Sequence, residues 1–148
     1  MQDEVFSYDS PLGPMSYCWD GQVCREVRLL DALLDQPTGN DAVSAWLDAY
    51  FSGQILSLPP LAAARTPFQS RMRQYLLNIP MGETLSYGEA AKVLGTAPRA
   101  LGQALGANLL PIIIPCHRVV AAHGLGGFSC GLEWKRRLLA FESGGRRA

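Results

Sequence analysis

The sequence predicts an α+β chain in two parts: a small α/β unit over residues 1–62 and a mostly helical unit over residues 63–148. Three observations carry this reading. The first part holds short runs rich in β-branched and aromatic residues, separated by turn residues. Pro59-Pro60, followed by the small-residue stretch Leu61-Ala62-Ala63-Ala64, breaks regular structure and marks a linker. Beyond it, helix start and stop signals recur in quick succession.

In chain order, Glu4 to Tyr8, Met15 to Trp19 and Val23 to Val27 read as strands, with turns at Gly13-Pro14 and Asp20-Gly21. From Asp41 to Phe51, Val43, Trp46, Leu47 and Tyr50 follow the spacing of an amphipathic helix. Thr66 before Pro67 is an N-cap with proline at the first helical position, and that helix runs to about Asn78. Ser86-Tyr87-Gly88-Glu89 is a capping box, in which hydroxyl and carboxylate satisfy orphan backbone donors reciprocally. Tyr87, Ala90, Ala91 and Leu94 form the apolar stripe of that helix, and Gly95 ends it. A further helix begins near Pro98, with Leu101 and Leu105 on one side and small residues elsewhere. Two short helices with a Gly-containing turn fit a helix-turn-helix. The small face suits tight helix packing and close approach to DNA equally well.

Hydrophobic residues make up 48% of the 148 and charged residues 18%, enough to bury a core. No apolar run reaches the roughly 18 residues that span a bilayer. Met1-Gln2-Asp3-Glu4 is acidic, unlike a secretory or transit leader. These features predict a soluble, cytoplasmic chain without a membrane partner. Thirteen basic residues balance 13 acidic ones, so net charge names no partner. Their distribution is uneven: the chain is acid-rich through Gln54, and eleven of the basic residues lie beyond it, which hints at a polyanion.

The cysteines are Cys18, Cys24, Cys116 and Cys130, and the only histidines are His117 and His123. No spacing among them suits a structural zinc site, so no metal and no cofactor is expected. Disulfides are not expected either, and Cys18 and Cys24 read as small buried hydrophobes. Cys116 stands in Pro115-Cys116-His117-Arg118, after Ile112-Ile113-Ile114, which reads as a buried strand. A thiol there sits at the rim of a core. Its ordinary pKa of ~8.5 leaves little thiolate at neutral pH, so reactivity needs a base or a positive neighbour. His117 is adjacent, but consecutive strand side chains point apart. A bridging water, with a carboxylate orienting the imidazole, would connect them. As a lone dipeptide, Cys-His fits a buried thiol beside a core histidine just as well.

Ile114-Pro115-Cys116-His117-Arg118-Val119-Val120 resembles the active-site signature of the O6-alkylguanine-DNA alkyltransferases. The resemblance runs from Thr66 to Glu142 through Thr66-Pro67-Phe68-Gln69, Gly82-Glu83-Thr84-Leu85-Ser86-Tyr87, Arg99, Asn108 and the block from Gly124. It implies a ribonuclease H-like N-terminal domain followed by a helix-turn-helix alkyltransferase domain. The implied activity is single-turnover transfer of an alkyl group from O6-alkylguanine in double-stranded DNA to Cys116; whether O4-alkylthymine is also a substrate is left open by the sequence. The implied partner is the DNA minor groove, met by a monomer without regard to sequence. His117 would act as base through a water, and Glu142 would orient it. Arg99, Tyr87, Thr66, Thr96 and Gln103 would bind DNA and flip the nucleotide. Asn108 would be the hinge before the active-site strand. Ser129 and Phe128 would shape the guanine pocket, and Lys135 would neighbour the cysteine.

The sequence departs from the family at two pocket positions. Phe128 replaces a common tyrosine, and Cys130 stands where glycine is usual, as a bystander that slightly narrows the pocket. The N-terminal part is short and lacks the Cys/His set that some relatives use for zinc. A catalytically silent sensor of alkylguanine is the competing reading. Such proteins replace the cysteine, commonly with tryptophan, so Cys116 argues against it.

Overall fold

Alternation of buried and exposed residues builds the first of two units in the computed structural model, which describes residues 4–144. By internal contacts the chain divides between Ala62 and Ala63. Strands β1 (Glu4–Ser10), β2 (Gly13–Trp19) and β3 (Cys24–Leu29) form an antiparallel sheet in that order. In β3, Cys24, Val27 and Leu29 are buried while Arg25 and Arg28 face solvent. The first turn falls earlier than Gly13-Pro14. Ser10 Oγ accepts from the amides of Leu12 and Gly13, both at 3.1 Å, so the turn closes at Pro11-Leu12 and Gly13 begins β2. The second turn is closed by Asp20 Oδ1, which accepts from Gln22 and Val23 amides.

Helix α1 (Ala42–Phe51) starts at Asp41, whose carboxylate caps Val43 and Ser44 while Ser44 Oγ accepts from the Asp41 amide. Such a cap contributes about 1 kcal/mol. Asp41 Oδ2 also accepts from the Tyr17 hydroxyl at 2.8 Å, tying helix to sheet. Met15, Tyr17, Val27, Val43, Leu47 and Tyr50 form this unit's core. The Pro59-Pro60 segment is not loose. Pro60 O accepts from Cys24 N and Ala62 N donates to Cys24 O, both at 2.8 Å, so it lies along the start of β3.

The second unit contains α2 (Pro67–Leu77), α3 (Tyr87–Leu94), α4 (Pro98–Gly106) and α5 (Leu132–Gly144). Thr66 Oγ1 caps α2 through the Gln69 amide at 3.0 Å. Ser86 and Glu89 form the reciprocal box at the start of α3. Gly95 ends α3 at φ 69°, a left-handed conformation that glycine adopts without a Cβ penalty. Leu76, Ala90, Leu94, Leu101, Leu110 and Leu138 are among its buried residues. A two-residue parallel ladder joins β4 (Leu85–Ser86) to β5 (Val119–Val120). No helix of the described residues is long and apolar enough to cross a membrane.

The expected strand at Ile112–Ile114 is absent. These three isoleucines are buried in a turn, in which Ile114 N donates to Leu110 O at 2.9 Å. Pro111 and Pro115 flank the turn without amide donors, and Ile112 takes φ 73°. Such a conformation costs a β-branched residue on the order of 1–3 kcal/mol and survives only where its surroundings enforce it. Apolar continuity reported burial correctly and conformation wrongly.

Candidate active site

Asn108, just past α4, enforces that turn from within. Its Nδ2 donates to Ile114 O and its Oδ1 accepts from Leu110 N, both at 3.0 Å. The short 3-10 helix Cys116–Arg118 follows directly, in place of the strand exit expected from the sequence. Asn108→Ala removes both bonds and strands buried polar groups. We expect a loss of roughly 2 kcal/mol, read as a lower urea midpoint; an unchanged midpoint would dismiss Asn108 as a structural staple.

Cys116 is 7% exposed and His117 fully buried. His117 Nε2 lies 2.8 Å from Glu142 Oε2. Because an ionised carboxylate only accepts, Nε2 carries the proton and Nδ1 is left as a bare lone pair. Nδ1 is buried with no protein hydrogen-bond partner. Burial holds the imidazole below its ordinary pKa, although Glu142 pulls the other way. The resting pair is therefore a neutral histidine and an ionised glutamate. For Glu142, burial pushes the pKa up, but hydrogen bonds from His117 and Arg118 outweigh it and bring it down to about 2. Burial pushes the Cys116 thiol up to about 11, with Asn108 and Lys135 among the groups opposing the rise. The resting sulfur is thus a thiol.

Arg118 completes this cluster, and reading the sequence assigned it no role. Its Nε and Nη2 donate to the two Glu142 oxygens at 2.9 and 2.8 Å, and its Nη1 donates to Ile79 O at 2.7 Å. One guanidinium therefore fixes the carboxylate that holds the histidine. Its place within Pro115-Cys116-His117-Arg118 was the available signal, since a buried carboxylate beside a neutral imidazole needs a cation elsewhere.

Lys135 is also fully buried. Its Nζ donates to Val119 O at 2.8 Å and Gly127 O at 2.9 Å, and lies 5.7 Å from the centre of the Tyr87 ring. Burial lowers its pKa to about 8, while Cys116 acts in the opposite sense. The Tyr87 hydroxyl donates to the same Gly127 carbonyl at 3.3 Å. Gly126 must be glycine here: at φ 76°, an added Cβ would come within 2.6 Å of Tyr87 Cε2.

Cys116 borders a cavity of about 650 Å³. Helix α4 supplies one wall through Arg99, Gly102 and Gly106, and Phe128 and Ser129 supply the other beside Tyr87. A Cβ on Gly102 or Gly106 would meet nothing within 4 Å, so the α4 wall is set back from its surroundings. The remaining candidates lie outside this lining. Thr66 is exposed and caps α2, Gln103 is exposed on α4, and Thr96 is half-buried in the turn before α4. Arg99 is exposed at the start of α4.

A family model described as the DNA-binding domain of 6-O-methylguanine DNA methyltransferase matches residues 67–144. A methylated-DNA–protein-cysteine methyltransferase of Mycobacterium bovis is 39% identical over 146 residues, covering 90% of this chain and 88% of its own length. One of the same description from Saccharolobus islandicus is 35% identical, covering 91% and 92%. Among solved structures, the O6-methylguanine methyltransferase of Mycobacterium tuberculosis aligns with TM-score 0.82 at 36% identity, covering 99% of this chain and 96% of that one. A structure of the protein from that organism in complex with DNA aligns with TM-score 0.78 at 37% identity, covering 93% and 92%.

Proposed function

The chain belongs to the methylated-DNA–protein-cysteine methyltransferases, DNA-repair enzymes, and from that premise we propose that Cys116 accepts the alkyl group of O6-alkylguanine flipped out of duplex DNA. One observation carries the assignment. Cys116 borders the cavity beside a neutral histidine whose bare Nδ1 is held in place from behind by Glu142.

The steps follow from these groups. His117 Nδ1 takes the thiol proton through a water, and Glu142 stabilises the imidazolium that forms. The thiolate attacks the alkyl carbon, the carbon–O6 bond breaks, and a carbon–sulfur bond forms. Guanine leaves with a proton donated by the Tyr87 hydroxyl, while Ser129 hydrogen-bonds O6. Lys135 places positive charge beside the sulfur. Phe128 walls the pocket as a plain ring. The product thioether has no ready leaving group, so each molecule acts once. O4-alkylthymine offers the same alkyl ether on a smaller ring and reacts by the same path.

Helices α3 and α4 act as the helix-turn-helix, with the small face of α4 against the minor groove. That groove carries a degenerate code, which suits a repair protein acting at any guanine. Extruding a base costs a few kcal/mol. Arg99 fills the vacated space, and Tyr87 presses on the target phosphate. Thr66, Thr96 and Gln103 contact the backbone; the Thr66 cap uses its oxygen as acceptor and leaves its proton to donate. Asn108 holds α4 and the Cys116 turn in register. The first unit is the family's ribonuclease H-like module, and the protein works as a monomer.

Incubation with O6-methylguanine duplex, followed by peptide mapping, should find one methyl group on Cys116. Tight binding to damaged DNA with no modified cysteine would sink the assignment. Arg99→Ala should slow repair of duplex roughly 10- to 100-fold, the share of a flipping cost of a few kcal/mol. Reaction with free O6-benzylguanine should stay within about twofold, since no base needs extruding. Equal losses on both substrates would remove Arg99 from flipping.

A further inference from the structure

The proton count of the His117–Glu142 pair is not settled by its two members alone. Both are buried, His117 fully and Glu142 at 1% exposed. A buried carboxylate without a countercharge recruits a proton, onto itself or onto the base it touches. Either outcome disables the base. An imidazolium carries protons on both ring nitrogens. A neutral ring that accepts at Nε2 from a protonated carboxyl carries its own proton at Nδ1. Nδ1 stays a lone pair only with one proton fewer, and it is the atom without a protein hydrogen bond.

The charged groups acting on the ring are Glu142 and Lys135 from α5 and Arg118 from its own 3-10 turn. Lys135 Nζ is committed to Val119 O and Gly127 O, at 2.8 and 2.9 Å, and Gly127 lines the cavity. Of the two cations, Arg118 is the one bonded to the carboxylate, through Nε at 2.9 Å and Nη2 at 2.8 Å. Its Nη1 donates at 2.7 Å to Ile79 O, in the main chain just past α2, which pins the guanidinium in place.

We propose that Arg118 is a positioning residue for the transfer: its pinned charge keeps the His117–Glu142 pair one proton short, so that Nδ1 is vacant at neutral pH. The proposal rests on Cys116 being the alkyl acceptor and His117 its base. Arg118 touches no reacting atom and acts through Glu142. Its charge also disfavours the imidazolium formed when the thiol proton arrives, so basicity is traded for vacancy. A ring already protonated takes no proton at all.

The test follows transfer from free O6-benzylguanine to the full chain across the pH range in which histidine titrates. Arg118→Gln should move the low-pH limb of the rate profile up by at least about one pH unit, the lower end of what a charge at this range does. Arg118→Lys, which keeps the charge, should return the limb to its wild-type position. Lys135, at about 8, titrates in all of these variants, so ratios to wild type remove its contribution. The direct readout is nitrogen NMR of the ring. His117 and His123 are the only histidines, so His123→Gln leaves a single imidazole to observe. At neutral pH its Nδ1 should be bare with Arg118 and protonated in Arg118→Gln. An unmoved limb, a uniform loss at every pH, or a lysine variant that behaves as the glutamine one overturns the proposal. Where Arg118→Gln fails to fold, adding Glu142→Gln removes the second charge and should restore folding with a neutral ring. Failure of that double variant to fold would mean that Arg118 acts through packing, and overturns the proposal too. Absence of transfer by wild type, with its ring neutral, instead overturns the assignment of Cys116.

Discussion

Cys116→Ser should abolish alkyl transfer while leaving the affinity for O6-methylguanine duplex within about twofold. Serine keeps the size and polarity of the side chain, so the 3-10 turn and the cavity survive. What is lost is nucleophilicity: an alcohol is far harder to deprotonate than a thiol, and its oxygen is a much weaker nucleophile than sulfur toward an alkyl carbon. Losing the nucleophile of an acyl-transfer enzyme costs on the order of 10⁶ in rate. A fall of at least about 10³ is expected here, beyond which single-turnover assays read zero. Gel-shift titration beside radiolabel transfer checks both halves. Residual transfer above about 1% of wild type would mean that another residue takes the alkyl group.

Glu142→Ala should be the most destabilising single substitution at this site, at about 3–5 kcal/mol. It leaves the Arg118 guanidinium buried with only Ile79 O as an acceptor among its hydrogen bonds described above, and frees the His117 ring to turn. Against a total stability of roughly 5–15 kcal/mol, that is a large fraction. Glu142→Gln keeps the volume and one acceptor, and should fall between the two. The pH dependence follows from the direction of the shift. The folded carboxyl sits at about 2, below its ordinary 4.5, so its contribution is fully present above 4.5 and is lost as pH falls through about 2. Urea midpoints across that window should fall more steeply for wild type than for Glu142→Gln. Parallel curves would deny Glu142 this part in acid stability.

What the sequence made legible was local. Thr66-Pro67, the Ser86–Glu89 box and Gly95 are short-range devices, and the structure places each where those residues demand it. The Ile112–Ile114 turn was illegible because a short apolar run signals burial without choosing between strand and turn. The Asn108 bonds decide it, and they are set by geometry rather than periodicity. Arg118 escaped for a different reason. Its partners Glu142 and Ile79 lie 24 and 39 residues away, and no spacing rule reaches that far. Lys135 was placed near the cysteine by family likeness. Its actual partners, the Val119 and Gly127 carbonyls, are backbone groups that side-chain identity does not advertise.

The separation of 25 residues between His117 and Glu142 has a consequence for local opening. The carboxylate that holds the imidazole belongs to α5, so that bond closes a loop of this length and exists only while α5 is docked. The same undocking takes both Glu142 oxygens from Arg118, so one local opening unties the imidazole and the guanidinium together.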